Sequence, residues 1–143
     1  MSAAIRHGAS SDAVRAVRLS QILSYHAATQ PRRPAFTDAD GQADFKTLHN
    51  RANRLANALT AAGIRKGDRV TLRLPNSRRH FEALFGCANL AAILVPLPAD
   101  ASASDIDAIK HDCAPALSIE SEQAECQRSC PILAQTAPAS DAC

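Results

Sequence analysis

Leu48, Ala52, Leu55, Ala56 and Leu59 recur at three- and four-residue intervals, whereas Val70, Leu72 and Leu74 alternate with Arg69, Thr71 and Arg73. The first spacing lines one face of a helix and the second one face of a strand. Gly63 stands where that helix needs a left-handed stop, and Arg51, Arg54 and Asn57 lie off its apolar stripe, so that side is expected to face water. A Gly67-Asp68 turn leads into the strand and Pro75 closes it. Upstream, Val14, Val17, Leu19, Ile22, Leu23 and Ala27 predict a helix to about Thr29, ended by Gln30-Pro-Arg-Arg-Pro34 because a residue before proline disfavours helix. Ala35-Phe-Thr37 and Ala43-Asp-Phe45 flank Asp38-Ala-Asp-Gly41 as a short hairpin, with Gly41 supplying a positive φ.

Downstream, Ser77 is placed to cap a helix by accepting a free backbone N–H, with Phe81, Leu84, Phe85 and Ala88 as its buried stripe. Ile93-Leu-Val95, a continuous apolar run bounded by Pro96 and Pro98, reads as a short parallel strand covered on both faces. Ser102-Ala-Ser-Asp105 has capping-box spacing ahead of Ile106, Ile109 and Cys113, and Ala116-Leu-Ser-Ile119 is a third strand. The sum is an α/β fold: a helix and hairpin leading into a βαβαβ unit with a small parallel sheet. The expected organisation is a disordered stretch over 1–12, a structured unit over 13–119 and an unstructured, cysteine-containing tail over 120–143.

Composition changes this picture in three places. Aromatic residues are only 3% of the 143, without tryptophan, so the core is built from Ala, Leu, Ile and Val. Small side chains remove little area from water, at roughly 25 cal/mol per Å²; marginal stability and a tendency to associate are expected. The net charge of +2 and the scattered pairs Arg32-Arg33, Arg65-Lys66 and Arg78-Arg79 give no continuous basic footprint, so no nucleic-acid partner is expected. Charge is also uneven: residues to Ile119 hold 15 basic and 10 acidic side chains, while 120–143 holds one Arg and four acids. That break in composition suggests a replaced or frame-shifted C-terminus. The first twenty residues show no secretory h-region and no run is long enough to span a bilayer. A cytoplasmic protein with five reduced cysteines is expected.

The run Phe45-Lys-Thr-Leu, an Asn-Arg-Leu-Ala helix ending at Gly63, then Gly67-Asp68-Arg-Val70 and a strand closing in Leu74-Pro-Asn76, resembles the N-terminal part of the adenylate-forming superfamily. These are the acyl-CoA synthetases, peptide-synthetase adenylation domains and luciferases. The resemblance extends from about Leu19 to Ile119 through the order and spacing of Gly63, Gly67, Asp68, Pro75, Asn76, Val95 and Pro96. Ala91 departs from the usual glycine and Pro98 from a frequent asparagine. The resemblance implies a parent that activates a carboxylic acid with ATP and Mg²⁺ and passes it to CoA or a carrier thiol. Its phosphate loop and catalytic lysine have no counterpart here: Lys46, Lys66 and Lys110 follow no glycine-rich loop. No catalytic, cofactor-binding or metal-binding residue is therefore expected, and Gly63, Gly67, Asp68, Pro75, Asn76 and Pro96 are read as architectural.

Other chemistry is weaker. His111, Cys113, Cys126 and Cys130 offer zinc-type ligands, but His111 and Cys113 point apart on one helix. Cys87 and Cys113 suit small buried hydrophobes, and His26, His49 and His80 suit surface or satisfied histidines. No Gly-x-Ser-x-Gly motif supports a hydrolase. The expectation is a truncated ligase, inactive alone, whose partner is the rest of the enzyme on another chain or a second copy meeting an exposed apolar edge. The alternatives are a non-catalytic module docking on a ligase or carrier protein, and a remnant without function.

Overall fold

The computed structural model describes residues 18–39, 41–75 and 77–120. Asn76, Val14, Val17, Cys126, Cys130 and the stretches 1–12 and 121–143 lie outside the described residues, whereas Glu120, expected to begin the unstructured tail, is the last residue of a strand paired with Arg73. Among the described residues, four helices and five strands follow in the expected order. α1 (Leu19–Thr29) precedes the strands β1 (Pro34–Asp38) and β2 (Gly41–Asp44). These pair antiparallel, with Asp38 opposite Gly41 and Gly41 at φ 115°. α2 (Phe45–Ala61) begins on Asp44, whose Oδ1 accepts the Thr47 N–H at 2.7 Å.

The end of α2 shows why glycine stands at 63. The Gly63 N–H reaches Thr60 C=O and the Ile64 N–H reaches Leu59 C=O, both at 3.0 Å, with Gly63 at φ 91°. That pair of bonds satisfies the last carbonyls and requires the left-handed region at the glycine. The Gly67-Asp68 turn follows: Asp68 Oδ2 accepts from Arg65 N–H at 2.7 Å, and the Gly67 N–H donates to Ala91 C=O at 2.9 Å.

β3 (Arg69–Arg73), β4 (Ile93–Pro96) and β5 (Leu117–Glu120) form a parallel sheet in the order β4-β3-β5. α3 (Arg78–Leu90) joins β3 to β4, and α4 (Ala103–Cys113) joins β4 to β5. Val70 and Leu72 are fully buried against Leu55, Leu59, Ala83 and Cys87. Alternation led us to expect one better-buried face on β3, yet Thr71 is fully buried too. A central strand is covered on both sides, and Thr71 Oγ1 donates to Ser118 Oγ on β5 at 2.7 Å. β4 departs from expectation in the other direction. It is an edge strand rather than one covered on both faces, and Ile93 is 48% exposed.

α3 requires two corrections. Its buried residues are Glu82, Ala83, Gly86 and Cys87; Leu84, Phe85 and Ala88 are half-buried and Phe81 is exposed. The helix is wedged between α2 and the sheet, so its small residues occupy the tightest contact, while Phe81 leans out onto Phe36 of the hairpin with ring centroids 4.8 Å apart. Ser77 occupies the N-cap position but makes no side-chain cap. Asp38 does that work from the hairpin: its Oδ2 accepts the Arg78 N–H at 3.2 Å and Nε–H at 3.1 Å, and its Oδ1 accepts Nη2 at 2.8 Å. Asp38→Ala should therefore cost about 0.5–2 kcal/mol, while Ser77→Ala changes the urea midpoint little; the reverse ranking would return the cap to Ser77.

α3 ends at Ala91 in the left-handed region, at φ 55°. An L residue is strained there. Ala91→Gly should raise stability by about 0.5–1 kcal/mol, the strain relieved less the added freedom of the unfolded chain. A lower thermal midpoint for that variant would contradict the assignment. α4 bears out its expected cap, since Ser102 Oγ accepts the Asp105 N–H at 3.2 Å, and only Ile106 on it is buried. Lys110 Nζ donates to Glu120 Oε1, tying α4 to β5.

Candidate functional site

The carboxyl ends of β3 and β4 open onto a cleft of about 410 Å³. Leu74 and Pro75 line it from the segment that leaves β3, His80 from the first turn of α3, and residues 96–99 from the end of β4. Leu74 and Leu97 form its buried floor. Pro75 and Pro96, two of the positions singled out in the sequence, meet here; Gly63, Gly67 and Asp68 serve the loops before and after the helices, and Asn76 is outside the described residues. His80 was expected to be a surface or satisfied histidine. Its Nδ1 is instead buried without a hydrogen-bond partner, as is Nδ1 of His26, which stacks on Phe45 at 4.8 Å. His49 does find a partner, in Asn53 at 3.0 Å.

A second polar group lies between α2 and α3. Glu82 is 1% exposed and takes Arg51 Nη1 at 3.2 Å. Arg54 and Asn57 face water as expected of the polar side of α2, but Arg51, grouped with them in the sequence, is half-buried where it meets Glu82 of α3. Burial raises the Glu82 carboxyl above its ordinary range, and the attraction of Arg51 offsets only part of this. Neither Glu82 nor Gly86 stood out in the sequence. The spacing Ala83, Gly86, Cys87 and Leu90 would have revealed a small-residue helix face and turned Glu82 inward.

Nucleophilic and metal chemistry finds little support. Burial pushes the Cys87 thiol up to about 11, which leaves it protonated and inert at neutral pH. Among the described residues, no three His, Cys, Asp or Glu side chains gather to hold a metal ion, and no helix is long and apolar enough to cross a membrane. Lys46 and Lys66 are exposed, and Lys110 pairs with Glu120.

A family model for AMP-binding enzymes matches residues 23–142. The chain belongs to the AMP-binding enzyme family. The match continues beyond Ile119, where the resemblance in individual motifs ends. The fatty acid–acyl-carrier-protein ligase ScoC of Streptomyces coeruleorubidus is 37% identical over 94 residues, which make up 66% of this chain and 18% of that ligase. The long-chain-fatty-acid–CoA ligase FadD13 of Mycobacterium tuberculosis is 36% identical over 93 residues, 64% of this chain and 18% of FadD13. Among solved structures, the N-terminal domain of FACL13 from Mycobacterium tuberculosis superposes with a TM-score of 0.71 at 32% identity, covering 73% of this chain and 27% of that one. This AMP-binding enzyme chain thus spans 18% of the length of the two ligases it matches.

Proposed function

We propose that the chain supplies the N-terminal part of an ATP-dependent ligase that joins a carboxylic acid to CoA or a carrier thiol, and that it forms no adenylate alone. The observation that carries this reading is the AMP-binding match over 23–142 in a chain spanning 18% of ligases of that kind. Adenylate formation needs several N–H or hydroxyl donors around the phosphates and a cation at the transferred charge. The cleft at the strand ends offers prolines, alanine, leucines and one imidazole, and the lysines lie away from it or are paired. The described residues do not fit ATP phosphates or Mg²⁺. In this reading the chain acts in the cytoplasm and contributes structure: β3 and its flanking helices hold the strand ends in place.

The partner in this proposal is the remainder of the ligase, or a second copy, meeting the unpaired edge of β4 where Ile93 is exposed. ATP–pyrophosphate exchange with a long-chain fatty acid tests both parts. The purified chain alone should stay at the blank rate, and exchange by the chain alone would overturn its inactivity. Adding a polypeptide with the remaining ligase segments should restore exchange. A mixture that neither associates nor exchanges would overturn the structural role.

A further inference from the structure

Five large apolar side chains are exposed among the described residues, and three of them stand on α1. Leu19 is 40% exposed, Ile22 44% and Tyr25 63%. At three-residue spacing they occupy one stripe along the helix, while Leu23, on the side turned to α2, is buried with Leu48 and Ala52. Single exposed apolar residues are ordinary, but a contiguous patch marks a surface that something covers.

Positive charge flanks the stripe. Arg18 precedes α1, and the helix itself carries no Asp or Glu. At its other end the chain folds back, so that the Lys46 N–H donates to Pro31 C=O at 3.0 Å and the Phe45 N–H to Arg33 C=O at 3.1 Å. Tyr25 meets His26 edge-on, with ring centroids 5.5 Å apart, and His26 stacks on Phe45. Arg32, Arg33 and Lys46 are therefore gathered beside the tyrosine end of the stripe, and all three are exposed. Arg33 donates to the neutral amide of Gln30 at 2.7 Å. Asp44, the carboxylate on which Lys46 and Arg32 act, accepts from the Thr47 N–H and forms no ion pair with either. Three apolar side chains fall far short of the roughly 20–30 residues a side of a stable protein interface. A bilayer surface asks for less: an apolar stripe that enters the headgroup boundary, a tyrosine ring at that level, and cations around it for anionic lipids.

We propose that α1 lies on an anionic lipid surface, with Leu19, Ile22 and Tyr25 entering the headgroup boundary and Arg32, Arg33 and Lys46 against the lipid phosphates. The site goes beyond the ligase reading and does not depend on it. The chain holds one tyrosine and no tryptophan, so its intrinsic fluorescence reports position 25 alone. The full chain should float with vesicles of mixed phosphatidylcholine and phosphatidylglycerol, and those vesicles should shield Tyr25 from acrylamide. Arg32→Gln with Arg33→Gln should weaken binding about thirtyfold, roughly fivefold for each charge at an anionic surface. Pure phosphatidylcholine vesicles should bind the wild-type chain more weakly by at least that factor. Ile22→Ser should cost about tenfold through lost apolar contact. Arg65→Gln with Lys66→Gln removes the same charge from exposed positions after α2 and should leave binding unchanged. No binding to the anionic vesicles, a tyrosine as open to acrylamide on them as in solution, or an equal loss with the Arg65 and Lys66 replacements would overturn the proposal. So would a wild-type chain that sediments as a dimer without lipid and as a monomer once Ile22→Ser is made, which would assign the stripe to a second copy.

Discussion

Arg51→Ala is expected to lower the unfolding free energy by about 3–5 kcal/mol, the usual cost of removing one partner from a buried ion pair. Glu82 is 1% exposed and holds Arg51 at 3.2 Å, so the alanine variant keeps a carboxylate in the seam between α2 and α3 without the guanidinium that faces it. The pH dependence identifies the cause. Burial raises the folded carboxyl above its ordinary 4.5, so the folded chain holds this proton more tightly than the unfolded one. The stability contributed by that group is fully present below the unfolded value and is lost as pH rises through the folded one. Removing Arg51 takes away a contribution that lowers the folded value, and the carboxyl rises further. The gap between wild type and Arg51→Ala should then be widest near neutral pH and narrow as the solution is acidified and Glu82 takes up its proton. Urea unfolding across that range measures it. A loss below about 1 kcal/mol that does not change with pH would mean the pair behaves as a surface contact. The paired replacement Arg51→Met with Glu82→Leu should restore most of the stability, because apolar residues of similar volume remove both desolvation costs.

Gly86→Val should cost roughly 1–3 kcal/mol through overpacking. A Cβ at position 86 would meet Ala52 O and the Leu55 side chain, each at 3.2 Å. The leucine can turn aside, but the carbonyl belongs to the α2 backbone and moves only with the helix. Gly86→Ala sets two terms against each other, a helix-propensity gain of about 1 kcal/mol and the displacement of α2, and should change stability far less than valine. In a Leu55→Ala background the valine should cost less than in wild type, since part of the clash is gone. Costs that add without coupling in this double-mutant cycle would place the obstruction elsewhere.

The course of the chain was readable wherever one period dominated. The apolar stripe of α2, its stop at Gly63, the Asp38–Gly41 reversal and the Ser102 cap all follow from local rules, and the structure has them. What the sequence hid was set by neighbours distant along it. Phe81 and Phe85 outweigh Ala83 and Gly86 on any hydrophobicity scale, so the apolar stripe of α3 was drawn through the aromatics. The separation from α2 selects the small residues instead, and the hairpin takes Phe81. Ser77 has the right chemistry for a cap, but Asp38, 40 residues before Arg78, takes the first N–H of the helix with a charge. Ile93-Leu-Val95 looks like a buried strand because composition does not distinguish an edge from a centre. The cleft was legible only in part: Pro75 and Pro96 were marked as turn residues, while His80 could be read as a cleft residue only once α3 was placed against the end of β4.

The position of β3 in the middle of the sheet also has a cost in time. Its partner on one side, β5, carries Ser118, which meets Thr71 across 47 positions of sequence. At the usual pace of synthesis of roughly 5–20 residues per second, a nascent chain waits about 2–9 s between making the first of these strands and making the second. β3 has both edges open until β4 is made and one open edge until β5 is made, within reach of any other unfinished chain on the same message. The stretch of translation between codons 73 and 117 is therefore when this protein is most exposed to misassembly, and when a chaperone would do most for its yield.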